Sequence, residues 1–261
     1  MGHPAVCLHA STSSAGQWRR LADRLAPRAR VLAADLYGCG KSPAWTDARP
    51  MTLADEVARL APVFAEAGER FHLVGHSYGG AVALVAALTH PARVASLILF
   101  EPVLFSVLMA VDPGQPAARE ITVVRDETIA ALERGDPAAA GSRFVDYWMG
   151  SGSWARMPEA KREAVTAAMP GVKAEWGAAF GEPAPLAAFA ALDMPVLLLG
   201  GSVSPASARE IARLLGKTLP RVSAVEIEDV GHMGPVTHPD AVNPLIDEFL
   251  GETAPPPRAR T

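Results

Sequence analysis

The sequence predicts an α/β fold: a mostly parallel sheet of about six strands with helices on both faces, plus a helical insertion after the fourth strand. Three observations predict it. Short apolar runs alternate along the chain with helical patterns, the signature of βα units. Most of those runs are continuously apolar rather than alternating, as expected for strands covered on both faces. Between residues 102 and 191 the alternation stops, and only helix-like segments follow. A length of 261 residues with 49% hydrophobic side chains supports a sizeable core and excludes intrinsic disorder.

Taken in order, residues 5–9 read as the first strand, 17–26 as a helix and 30–34 as the second strand. Residues 53–67 form the next helical pattern, followed by a strand over 71–75 and an apolar helix over 77–89. His90-Pro91 ends that helix, because proline disfavours a helical residue before it. A strand over 94–100 closes the first part of the core, 1–101. The insertion, 102–191, is broken by Arg134-Gly135-Asp136-Pro137 and by a glycine- and tryptophan-rich patch over 147–154. It is expected to lie over one edge of the sheet as a lid. The core resumes over 192–250 with strands at 195–200 and 224–228 and helices at 204–215 and 241–250. The segment 251–261, with Pro255-Pro256-Pro257, reads as a disordered tail. There is no internal repeat.

Several function classes are excluded. Net charge is −4, and the 24 lysines and arginines form no basic stripe, so no nucleic-acid partner is expected. The longest apolar stretch, 94–111, carries Glu101-Pro102 at its middle, where a carboxylate would be costly in lipid, so no membrane span is expected. The N-terminus lacks the pattern of a secretory signal, and Val6 stands where a myristoylation site needs Ser or Thr; a cytoplasmic location is expected. The two cysteines, Cys7 and Cys39, fit neither a disulfide framework nor a metal pattern. Gly38 and Gly40 are wrongly spaced for a phosphate loop. No cofactor and no metal are expected.

One motif carries chemistry. Gly75-His76-Ser77-Tyr78-Gly79 matches G-x-S-x-G, preceded by the apolar strand and followed by the apolar helix that the motif requires. A sharp strand-to-helix turn holds the serine in a strained backbone and projects its hydroxyl above the sheet, beside a helix N-terminus that favours negative charge.

Here the sequence resembles the α/β-hydrolase superfamily over nearly its whole length. Leu8-His9-Ala10 stands where relatives show an HG pair, Asp35 to Ser42 looks like their D-x-x-G-x-G-x-S loop, and Gly231-His232-Met233-Gly234-Pro235 looks like the segment bearing their catalytic histidine. The resemblance implies an α/β-hydrolase fold, Ser77 as nucleophile and His232 as general base. It also implies an oxyanion hole from the backbone N–H groups of Tyr78 and Ala10, where Ala10 replaces the usual glycine. Asp35 is expected to bond turn amides. His9 and His76 flank the site and are expected to shape it. Relatives carry strands before residues 5–9 that are missing here, which predicts a short sheet with one edge exposed or covered by a partner; monomer and homodimer both fit.

The sequence departs from the family at the third member of the triad. Relatives usually place an aspartate after the strand at 195–200, where this chain has Ser204. Glu101 is the alternative. It ends the strand at 94–100 among apolar neighbours, where an ionised carboxylate is expensive unless paired, and pairing with His232 would meet that need. Some haloalkane dehalogenases carry their acid at the corresponding position, but Ser77 in place of an aspartate nucleophile argues against that chemistry. Serine favours acyl transfer to water through an acyl-enzyme.

The expected function is hydrolysis of a carboxylic ester or lactone of small to medium apolar character, of esterase type. Phe105, Trp148, Trp154 and Met233 are candidate pocket residues with His9 and His76; Met109, Phe144, Tyr147 and Trp176 are further lid side chains of that kind. Arg143 and Arg156 are placed to meet a substrate carboxylate. Two other readings stand beside it: a ligand-binding or weakly active member with an incomplete triad, and a carbon–carbon bond hydrolase or cofactor-free oxidative enzyme. Fold alone cannot choose among them.

Overall fold

The computed structural model describes residues 2–253 of the chain. Its sheet comprises β1 (Ala5–Leu8), β2 (Val31–Ala34), β3 (Phe71–His76), β4 (Val94–Phe100), β5 (Val196–Gly201) and β6 (Val222–Ile227). The order is β2-β1-β3-β4-β5-β6, and every neighbouring pair is parallel. The helices of the core are α1 (Arg19–Leu25), α2 (Leu53–Arg59), α3 (Ala61–Ala67) and α4 (Tyr78–Thr89). Between β4 and β5 come α5 (Phe105–Val111), α6 (Pro116–Glu133), α7 (Pro137–Met149), α8 (Ser153–Arg156) and α9 (Glu159–Gly181). The chain closes with α10 (Ala206–Thr218), α11 (Gly234–Thr237) and α12 (Pro239–Glu252).

Two apolar layers explain the continuous apolar strands. Leu97 and Leu99 of β4 face a layer shared with α2, α4 and the insertion, whereas Ile98 and Phe100 face a layer shared with α1 and α12. The two edge strands are less covered: β2 is half-buried and β6 half exposed. The helix expected over 53–67 is two helices, because Pro62 lacks an amide hydrogen and restarts the chain in the first turn of α3. The helix expected at 17–26 opens as a 3-10 turn, Ala15–Trp18. Gly251 and Glu252, expected in the tail, extend α12, and residues 254–261 of that expected tail lie outside the described residues. Among the described residues, no helix is long and apolar enough to cross a membrane.

Register positions the site. The chain leaves β1 for β2 on one side and returns to β3 on the other, so the ends of β1 and β3 adjoin at a switch point of the sheet. Leu8 pairs with Gly75, His76 with Phe100, and Phe100 with Leu199. The segments that follow these strands, starting at His9, Ser77, Glu101 and Gly200-Gly201, therefore emerge side by side.

Candidate active site

Ser77 occupies the turn from β3 into α4 with φ 56° and ψ −119°, a backbone region that a side chain rarely adopts. The turn closes because its neighbour is small. A Cβ at Gly79 would lie 2.5 Å from the carbonyl oxygens of Leu8 and His9. Ser77 is nearly buried, and its Oγ lies 2.8 Å from Nε2 of His232.

His232 sits between β6 and α11. Its Nδ1 lies 2.6 Å from Oε2 of Glu101. An ionised Glu101 can only accept, so Nδ1 carries the proton and Nε2 is left to accept from the Ser77 hydroxyl. The carbonyl of His232 accepts from Nε2 of His76 at 2.8 Å, which fixes the loop. Glu101 is fully buried, and its Oε1 accepts from the amide of Gly201 at 2.7 Å. Gly201 can carry no side chain there, since a Cβ would lie 2.0 Å from the carbonyl oxygen of Val230. Ser204 is buried with a hydroxyl that has no partner among the described residues.

Backbone strain is concentrated here. Among the described residues, the non-glycine residues with positive φ are Thr12, Ser77, Glu101 and Asp229, each of which belongs to this hydrogen-bonded group or lines the cavities beside it.

The loop after β1 corrects one expectation. The amide of Ala10 donates to Oε1 of Gln17 at 3.1 Å and so is not free to meet an oxyanion. Gln17 in turn donates to Nδ1 of His76 at 3.0 Å, and burial holds His76 well below the usual histidine range, so that nitrogen stays an acceptor. The amides of Ser11 and Tyr78 have no acceptor among the described residues. Ser11 thus has the free amide that was expected at Ala10. Asp35 accepts from the amides of Ala15 and Lys41, as a turn residue should.

Two buried carboxyls underneath were not visible from sequence patterning. The Tyr78 hydroxyl donates to Glu56 at 3.4 Å, and the Ser11 hydroxyl and the Cys39 thiol donate to Glu175 of α9. Burial pushes both glutamates up to about 7.

Ser77 opens on a cavity of about 240 Å³, walled by Phe144, Val145, Met157, Ala164 and Val165 of the insertion. Trp148 and His232 line both this cavity and a larger, more open cleft of about 670 Å³. The Trp148 ring lies 4.1 Å from the His232 ring, centroid to centroid. Met233 also lines both spaces, and Tyr147 lines the cleft. Four pocket expectations are corrected. His9 and His76 are fully buried and spend their ring nitrogens on hydrogen bonds inside the loops. Phe105 is buried against Phe180, with ring centroids 4.7 Å apart. Trp154 packs over Gly141, away from the cavity. Trp176 and Met109 likewise pack within the insertion, which sequence periodicity could not distinguish from facing a pocket. Arg143 is paired with Glu127, and Arg156 bonds Ser153 and the carbonyl of Ser151. Among the described residues, no group of three or more His, Cys, Asp or Glu is placed to hold a metal ion.

Comparison with known proteins shows what the chain is similar to. The chain is 30% identical to the lipase LipV of Mycobacterium tuberculosis, over 94% of this chain and 92% of that one. Its structure is similar to an alpha/beta hydrolase from Sphaerobacter thermophilus, with TM-score 0.72 and 28% identity over 94% of this chain and 92% of the other. It is also similar to a thermophilic esterase from Thermogutta terrifontis, with TM-score 0.74 and 26% identity over 98% and 92%. Residues 5–245 match the alpha/beta hydrolase family as a whole. With the strand–turn–helix serine and the six-stranded parallel sheet in place, the chain belongs to the alpha/beta hydrolase family and is a hydrolase of esterase-like kind.

Proposed function

We propose that this protein is a serine hydrolase of carboxylic esters or lactones, of small to medium size and apolar character, acting through an acyl-enzyme on Ser77. The observation that carries the reading is the continuous chain of hydrogen bonds from Ser77 Oγ to His232 Nε2 at 2.8 Å and from His232 Nδ1 to Glu101 Oε2 at 2.6 Å.

In this reading His232 takes the Ser77 proton as Oγ attacks the substrate carbonyl carbon. The amides of Tyr78 and Ser11 face the negative oxygen of the tetrahedral intermediate, and the N-terminus of α4 adds its dipole. Glu101 balances the imidazolium, and the Trp148 ring covers its face. His232 then returns the proton to the leaving alkoxide, and the alcohol departs through the larger cleft, which His232 also lines. Water enters, gives a proton to His232 and attacks the acyl carbon; the acyl–Oγ bond then breaks as His232 passes that proton to Ser77, releasing the carboxylic acid. The acyl group occupies the 240 Å³ cavity that Ser77 lines. The helical insertion acts as a lid, since α7 and α9 supply the apolar wall that keeps water from the acyl-enzyme.

The reading is tested by turnover of p-nitrophenyl esters by the wild type and by Ser77→Ala and His232→Ala. Both variants are expected to lose at least about a thousandfold in kcat while remaining folded. Residual activity near that of the wild type in Ser77→Ala would place the nucleophile elsewhere. The readings as a weakly active ligand binder rested on Ser204 and Ala10. Glu101 and Ser11 supply what those two positions lack, and nothing in the site favours the alternatives.

A further inference from the structure

The sequence suggested Arg143 and Arg156 for a substrate carboxylate, yet one is tied to Glu127 and the other to Ser153 and Ser151. A different cation lines the cavity beside Ser77. Lys161 is the one lysine or arginine among the residues lining the cavity that Ser77 opens on, and no aspartate or glutamate lines that cavity. It makes no ion pair among the described residues, whereas Lys173 on the same helix is held by Glu133 at 2.9 Å. Its direction is set by the helix. Lys161, Ala164 and Val165 stand at i, i+3 and i+4 on α9, so they share the face that walls the cavity.

A second observation comes from the opposite wall. Thr12 and Ser13 line the same cavity, and their hydroxyls make no hydrogen bond with the described residues. Thr12 is held at φ 58°, a conformation that costs a β-branched residue about 1 kcal/mol or more. The loop keeps that strain where two hydroxyl-bearing residues line the space that Lys161 also lines. Between them runs the apolar wall of Phe144, Val145, Ala164 and Val165. At about 30 Å³ per small group, the 240 Å³ cavity holds roughly eight such groups.

We infer that the cavity is built for an acyl chain of medium length that ends in a carboxylate, with Lys161 as the anionic end's partner and Thr12 and Ser13 as supplementary donors. The substrate class is therefore the half-ester of a dicarboxylic acid. This deepens the proposed function and rests on Ser77 as the acylated residue. The ester carbonyl sits at Ser77, the methylenes lie along the apolar wall, and the free carboxylate meets the ammonium at the mouth. An uncharged ester of the same length loses only that last contact.

The test compares p-nitrophenyl hydrogen adipate with p-nitrophenyl hexanoate on the wild type, Lys161→Met, Lys161→Glu and the control Lys173→Met. The ratio of kcat/KM for the anionic over the neutral ester is expected to fall about five- to tenfold in Lys161→Met, through KM, and further in Lys161→Glu. Turnover of the neutral ester stays within about twofold, which also shows that the variants fold. Lys173→Met leaves the ratio unchanged. An unchanged ratio in both Lys161 variants, or an equal fall in Lys173→Met, overturns the inference. Should the wild type turn over neither ester, the reading of Ser77 fails and the anion site is read by calorimetric titration of monomethyl adipate. Affinity five- to tenfold weaker in Lys161→Met then supports the site on its own, and equal affinity overturns it.

Discussion

Glu101 is a fully buried carboxylate whose two oxygens each have one partner, the amide of Gly201 and the imidazole of His232. A buried charge with two short hydrogen bonds is tolerable, and one with none is not. Glu101→Gln keeps the shape but replaces an anion by an amide that cannot hold the imidazolium. Its kcat is expected to fall by about two to four orders of magnitude with little change in KM, measured by ester turnover. A near-normal kcat would mean that the glutamate is structural. This residue was legible in the sequence because a lone carboxylate inside an apolar run demands a partner. Ser11 was not legible. Whether an amide is free depends on what else reaches it, and the side chain that occupies Ala10 is Gln17, seven positions further along. The pocket residues were only half legible for a related reason: Trp148 and Phe105 are equally apolar, and only the packing of α5 and α7 decides that one faces His232 and the other Phe180.

Between elements, the main contact of the insertion with the site that sequence patterning could not show is α9 delivering Glu175 beneath the loop after β1, next to Glu56 of α2. Burial raises both carboxyls to about 7, above the ordinary glutamate value of 4.5. The folded protein therefore holds these protons over a range where the unfolded chain has released them. Their contribution to stability is full below about pH 4.5 and is lost as pH rises to about 7, by at most roughly 1.4 kcal/mol per pH unit for each group. Buried His9, His72 and His76 act in the opposite sense, since burial lowers their affinity for protons in the fold. The informative quantity is thus a difference. Relative to the wild type, Glu175→Gln is expected to gain stability as pH rises from 5 to about 7 and to level off by pH 8 in urea unfolding. A constant difference across that range would show that Glu175 ionises normally in the fold.

At the scale of the molecule, the sheet was legible almost entirely. Its inner strands are covered on both faces and leave nearly continuous apolar runs, and the half-exposed edge strand β6 is the one whose start was placed two residues late. The break between α2 and α3 was less visible, because Pro62 fits the first turn of a helix as well as its interruption. The division of space around His232 and Trp148 was beyond sequence reasoning, since it depends on how the whole insertion settles on the sheet. That division makes a prediction about size. For neutral p-nitrophenyl esters, kcat/KM is expected to rise about threefold per methylene as the 240 Å³ cavity fills, and then to fall once the acyl chain exceeds about eight carbons. A flat profile from two to twelve carbons would show that the acyl group lies in the open cleft instead.

The central claim is that the hydroxyl of Ser77, made reactive by His232, is where substrate becomes covalently attached. Its most direct measurement is mass spectrometry of the intact and protease-digested protein after exposure to a fluorophosphonate. A single adduct per chain is expected, on the peptide containing Ser77, absent from Ser77→Ala and much slower to form in His232→Ala. An unmodified, folded wild type, or an adduct on any other residue, would contradict it.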